Sequence, residues 1–201
     1  MDFRRRITFK FSEETEEGPA LLDDQEQEEV IETLRKENAK SNKQSISMMK
    51  IVLLLSTILH IIYFINPTDD RYPLLILLPR ANLDETIPLP RPFTFISLVL
   101  HVNLMLLLDS TSVRNFLVQA GIGLDDSIQL RNYTLSPTLA YALAFVAPAV
   151  CLFLRRSWLT VAWWSITVCV TYAVQLVLEA AAQGDEHIRS LEAMKYAAPG
   201  A

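Results

Sequence analysis

The sequence predicts an all-α integral membrane protein with four transmembrane helices and a cytosolic amino-terminal stalk helix. Three observations lead there. The 201 residues are 51% hydrophobic and their mean hydropathy is +0.24, although the first 47 are strongly polar, so the remainder is unusually apolar. Four apolar runs, at about 48–65, 93–108, 138–154 and 158–178, approach or reach the roughly 17–25 helical residues that cross a bilayer. Lysine and arginine are distributed unevenly between the flanks of those runs, which assigns the sides.

The amino-terminal region divides in two. MDFRRRITFKF begins with basic charge, but Glu13, Glu14, Glu16 and Glu17 follow where a signal peptide needs an apolar core and a mitochondrial presequence avoids acids. With Gly18-Pro19 as a break, residues 1–23 are expected to form a disordered cytosolic tail. Residues 24–47 read as a charged cytosolic helix. Asp24 is placed to cap it with Gln27 three positions on, acids fill the early turns, and Arg35, Lys36 and Lys40 the late ones. Glu32 and Lys36 form an i,i+4 pair in the favourable order. Val30, Ile31 and Leu34 make a thin apolar face, suited to a solvated stalk or, on the sharper reading, to a short coiled coil or partner-binding helix.

The membrane domain, 48–180, follows. Between the first two spans, Leu74–Leu78 in YPLLILLP is too short to cross and is bracketed by Pro73 and Pro79, so it either dips into the interface or packs on the protein. Pro92 marks the entry of the second span and Asp109 its exit. In SVRNFLVQAG, Val113, Phe116, Leu117 and Ala120 recur at helical spacing and Gly121 is placed to stop the helix, giving a surface helix at about 112–120. Only Arg155-Arg156-Ser157 separates the third and fourth spans, which demands a tight antiparallel hairpin. Residues 181–201 are read as a cytosolic tail, and KYAAPGA carries no retrieval or lipidation signal.

Orientation is read from charge. Arg35, Lys36, Lys40, Lys43, Lys50, Arg114, Arg131, Arg189 and Lys195 fall on one side of a four-span arrangement, against Arg71, Arg80, Arg91, Arg155 and Arg156 on the other. Nine against five places both termini in the cytosol. The sequon Asn132-Tyr133-Thr134 then lies on the cytosolic side and is expected to stay unglycosylated. Spans of 16–18 residues suit the thinner bilayer of the endoplasmic reticulum.

Several chemistries are disfavoured by residue type. No basic face of useful size remains for nucleic acid. Cys151 and Cys169 lie in apolar runs without CxxC spacing, so neither a disulfide framework nor a zinc site is indicated, and no cofactor is assigned. Three histidines are too few for a histidine-rich lipid desaturase, and His187 stands alone. No GxSxG occurs, and counting along the spans brings no Ser/His/Asp set to one level.

Candidate sites are therefore the polar residues inside the membrane, which are costly there and should face the bundle and find partners. They are His60 in the first span, His101 and Asn103 in the second with Asp109 at its boundary, and Thr167, Thr171 and Gln175, which continue a stripe from Thr160 along the fourth. Counted from the span ends, His60 and His101 differ in level by roughly 7 Å at 1.5 Å per residue. That offset disfavours haem held between them, and the expected role of His60, with Ser56 one turn earlier, is a hydrogen bond within the bundle. Trp158, Trp163 and Trp164 cluster at the end of the fourth span away from Gln175, as an aromatic belt would. Ala140, Ala144 and Ala147 offer the small face that lets helices approach, and Pro148 could kink the third span.

The acidic helix QEEVIETLRKENAK running into a compact set of spans resembles small multi-span membrane proteins of fungi without assigned activity. The resemblance covers mostly residues 24–65, contains no catalytic motif and carries no residue roles across. The expected function is a non-enzymatic accessory or scaffolding subunit of an intracellular membrane complex. The lipid bilayer is its first partner. A protein partner or second copy would dock through the stalk helix and spans three and four. The alternatives are a lipid-handling protein or enzyme using the intramembrane histidines, and third a small transporter acting as an oligomer.

Overall fold

A computed structural model describes residues 24–65, 87–121 and 130–197. Apart from short connections these are helical, with no strand among them: α1 (Asp24–Ile65), α2 (Pro90–Gln119), a 3-10 turn (Leu130–Tyr133), α3 (Pro137–Phe153) and α4 (Trp158–Ala197). The expectations for residues 1–23 and for YPLLILLP lie outside the described residues. α1, α2 and α4 are long and apolar enough to cross a membrane, whereas α3 is apolar but only 17 residues long. Ile51, Leu54, Leu55 and Ile58 of α1 are exposed, a surface that hydrocarbon tolerates better than water.

The helix ends follow local chemistry. α2 starts three residues earlier than Phe93, because Pro90 at its first position has its φ already set for a helix. Nor does it stop at Asp109. That residue alone leaves helical geometry, and its carboxylate accepts from the Ser112 backbone N–H (2.9 Å) and hydroxyl (2.6 Å), recapping the chain so that a helix resumes to Gln119. Gly121 follows with φ 81.

α3 begins with Ser136 accepting from the Leu139 N–H and Pro137 behind it. It closes in a Schellman turn, in which the Arg156 N–H reaches the Cys151 carbonyl and the Arg155 N–H that of Leu152. Arg155 occupies the left-handed region there (φ 52), at a cost of about 1–2 kcal/mol that glycine would avoid. Ser157 then caps α4 through the Thr160 N–H.

α1 and α4 run antiparallel in one register from end to end. Tyr63 lies edge-on to Trp163, His60 meets Thr167, Leu53 packs with Val174, Asn38 bonds Asp185 and Arg35 pairs with Glu192. Residues 181–197, read from sequence as a tail, are thus a continuation of α4 laid along residues 24–47. At Gly184 the helices come so close that an added Cβ would stand 2.6 Å from Asn38 Oδ1. α2 packs on the α1/α4 pair through Leu104, and α3 seats buried Ala140 and Ala144 beside Leu100 and Val168.

Trp163 and Trp164 correct the aromatic-belt expectation. Both are fully buried, with Trp163 stacked on His60 and Trp164 edge-on to Tyr63 and Phe93; only Trp158 faces outward. A core position for the rings follows from their place on the α1-facing side of α4, which end-of-span counting ignores.

Candidate functional site

Four side chains from three helices meet at the centre of the bundle. α1 supplies Ser56 and His60, α2 supplies His101, and α4 supplies Thr167, and each is buried. His60 Nδ1 is 2.8 Å from the Ser56 carbonyl and His101 Nδ1 is 2.5 Å from the Ser97 carbonyl. A carbonyl only accepts, so each Nδ1 carries the proton, and in the neutral ring each Nε2 is an acceptor. His101 Nε2 takes the Ser56 hydroxyl at 2.7 Å, and His60 Nε2 takes that of Thr167 at a longer 3.4 Å. Every nitrogen of the two rings is engaged, and the hydroxyls tie α1 to α2 and α1 to α4.

The ring centroids are 4.9 Å apart, closer than the 7 Å offset suggests. Helical side chains lean toward the amino terminus of their own helix. α1 and α2 are antiparallel, so the two imidazoles lean toward each other and close the gap. His101 is level with Ser56, which sits about 6 Å along the axis from His60. Ser56 and His101 are thus in direct contact at one level, a serine–histidine pair with no aspartate beside it, since Asp109 pairs with Lys50.

The remaining candidates are dispersed. Asn103 is buried and its Oδ1 accepts from the Leu135 backbone N–H at 2.7 Å, fixing the entry to α3; its Nδ2 has no hydrogen-bond partner among the described residues. Thr171 is buried one turn from Thr167 and returns its hydroxyl to the Thr167 carbonyl, while Gln175 is half-buried beyond it. Asp109 sits at the boundary, 2.5 Å from Lys50 Nζ. The Lys50 ammonium, helped by Ser112, holds the Asp109 carboxyl well below the usual carboxylate range.

Lys50 with Asp109 and Ser56 with His101 are the pairings that sequence reading left unmade. Their signal was faint: a lysine at the mouth of one span and an acid at the mouth of the next. Among the described residues no cluster of three metal-ligating side chains forms, and Cys151 is buried away from exposed Cys169. Comparisons with protein-family models, with curated proteins and with solved structures return no match to this chain.

Proposed function

We propose that the chain is a non-enzymatic accessory or scaffolding subunit of an intracellular membrane complex. It crosses the bilayer four times with both termini cytosolic, and it resides in the endoplasmic reticulum. The observation that carries this reading is the engagement of both histidines: each Nδ1 is anchored to a carbonyl of its own helix and each Nε2 takes a hydroxyl from a neighbouring helix, which is how a structural bundle uses polar groups in lipid. Three experiments test it. His60→Gln and His101→Gln keep a donor and an acceptor at similar volume, and they should leave both abundance and cellular function close to wild type. Normal abundance with lost function at both positions would overturn it. Copurification in mild detergent should return a stoichiometric protein partner. Protease should clip epitopes at both termini in sealed microsomes, and a glycan at Asn132 would reverse the orientation.

A second reading rests on the Ser56–His101 contact, because a hydroxyl 2.7 Å from an oriented imidazole is also how a nucleophile is activated. It would make the chain a lipid-handling enzyme. Labelling by an apolar fluorophosphonate that disappears in Ser56→Ala would support it; a wild-type protein inert to the reagent in bilayers would remove it.

A further inference from the structure

Beyond the bilayer, residues 24–47 of α1, roughly 36 Å long at 1.5 Å per residue, pair over most of that length with the end of α4 to form a two-helix stalk. Its seam runs through Gln27, Ile31, Asn38, Asn42 and Ile46 on α1, all partly buried, against Gly184, Ile188 and Glu192 on α4. Four large apolar side chains stay outside that seam: Val30 (50% exposed), Leu34 (41%), Leu191 (40%) and Met194 (59%).

Their positions are related. Each lies one residue before a position on the seam line of its own helix. In an antiparallel pair that step leads to the same side on both helices, because reversing the chain direction and reversing the facing direction cancel. The register set by Arg35–Glu192 and Asn38–Asp185 puts Leu34 level with Leu191 and Val30 level with Met194. The four therefore form one apolar strip along one side of the stalk. α2 lies against the opposite side, where Lys50, one residue after the seam position Met49, meets Asp109.

We propose that this strip is the contact surface for a second copy of the chain, forming a four-helix bundle around a twofold axis parallel to the stalk. The proposal rests on the reading of the chain as a membrane subunit contacted through its stalk. Two copies in one membrane carry their stalks at the same height and in the same direction. A twofold axis along the stalk then lays the α1 ridge of each copy on the α4 ridge of the other, level for level. Val30 and Leu34 of one copy meet Met194 and Leu191 of the other.

Polar complementarity selects a like partner. Glu37, exposed one residue before Asn38, falls level with exposed His187, one residue before Ile188, so each copy presents an acceptor to the other's imidazole twice over. Glu37 is the one acid on this side among the described α1 residues from 27 to 45; Glu28, Glu29 and Glu32 fall on other sides and would not be forced together.

Single-cysteine crosslinking of the full chain in membranes tests this, in a Cys151→Ala, Cys169→Ala background. Leu34→Cys and Leu191→Cys treated with a short bismaleimide should each give a band at twice the 22.8 kDa chain, at least tenfold stronger than Ala39→Cys, exposed on the opposite side of the stalk one residue after the seam position Asn38. Adding Leu34→Asp should abolish the crosslink at 191. Both variants are conservative and exposed, and light scattering of the wild type in detergent, expected at the mass of two chains, does not depend on them. Three results would overturn the proposal. Monomer bands at both positions would mean that residues 1–23 or lipid cover the strip. Equal crosslinking at Ala39 would mean random collision, and an adduct of other mass would mean a different protein occupies the strip. None of these results depends on whether the chain proves to be a scaffold or an enzyme.

Discussion

On the proposed membrane placement, the α1/α4 pair is one structure in two solvents, and its two halves are built on different principles. In the membrane half the frame is apolar and the seam interleaves polar groups with apolar ones: Ser56, His60 and Thr167 are buried alongside Leu53, Tyr63, Trp163 and Val174, while Ile51, Leu54, Leu55 and Ile58 face outward. In the stalk half the frame is charged and the seam is held by Ile31 and Ile188, with Asn38 and Gly184 at the closest approach. Lipid offers no hydrophobic reward for pressing two apolar helices together, so hydrogen bonds and ring stacking supply the specificity. Water rewards apolar burial, so a few isoleucines suffice. The same register is thus kept by different forces on either side of the boundary.

That contrast can be broken in order of size. Trp163→Ala removes the ring stacked on His60 and should cost about 3–5 kcal/mol, read as loss of reversible unfolding stability in mixed micelles, with the stalk still helical. Ile188→Ala should act only outside the membrane: a loss of about 2 kcal/mol, at the low end for such truncations because the site is at the edge of burial, seen as faster amide exchange in residues 24–40 with the membrane amides unchanged. An effect that spread equally into the membrane half would show that the two halves are a single cooperative unit.

The boundary itself is electrostatic. Asp109→Ala removes both the cap of the resumed helix and the partner of Lys50, and should cost about 1–2 kcal/mol. The sign of its pH dependence follows from the direction of the shift. The folded carboxyl is depressed, so its contribution is complete above the unfolded value of about 4 and is lost as the pH falls through the lower folded value. Stability from this site should be flat between roughly pH 5 and 8. Acid melts of wild type and Asp109→Asn should begin to approach each other below about pH 4 and meet only once the pH has passed the lower folded value. Smallest is Ser56→Ala, at about 0.6–1.7 kcal/mol, since a membrane hydrogen bond is worth little even when buried. A loss of 3 kcal/mol there would place the Ser56–His101 bond in a different class.

Much of the membrane half was legible, because its signals are local. Apolar runs announce helices, Ala140, Ala144 and Ala147 announce a close approach, and Thr160, Thr167 and Thr171 share a stripe that the fold buries. What was not legible depends on pairing. Trp163 and Trp164 look like belt residues until α1 is known to cover them. The helix from 181 to 197 lacks a strong apolar face of its own and gains its place from residues 24–47 lying alongside. His60 and His101 were separated by counting Cα levels, which ignores the opposed lean of side chains on antiparallel helices. Asp109 was visible as a boundary, but its partner Lys50 lies 59 positions away.

The unbroken register of α1 on α4 has a mechanical consequence. A side chain on a sliding helix finds an equivalent neighbour only after a whole turn, about 5.4 Å. Smaller slips would pull Asn38 from Asp185 and His60 from Thr167 together, although the two pairs lie more than 20 positions apart on α1. Force applied to the tip of the stalk therefore reaches the buried histidines as a threshold event: the rod holds its setting until it jumps by a full tooth, and it transmits no graded signal in between.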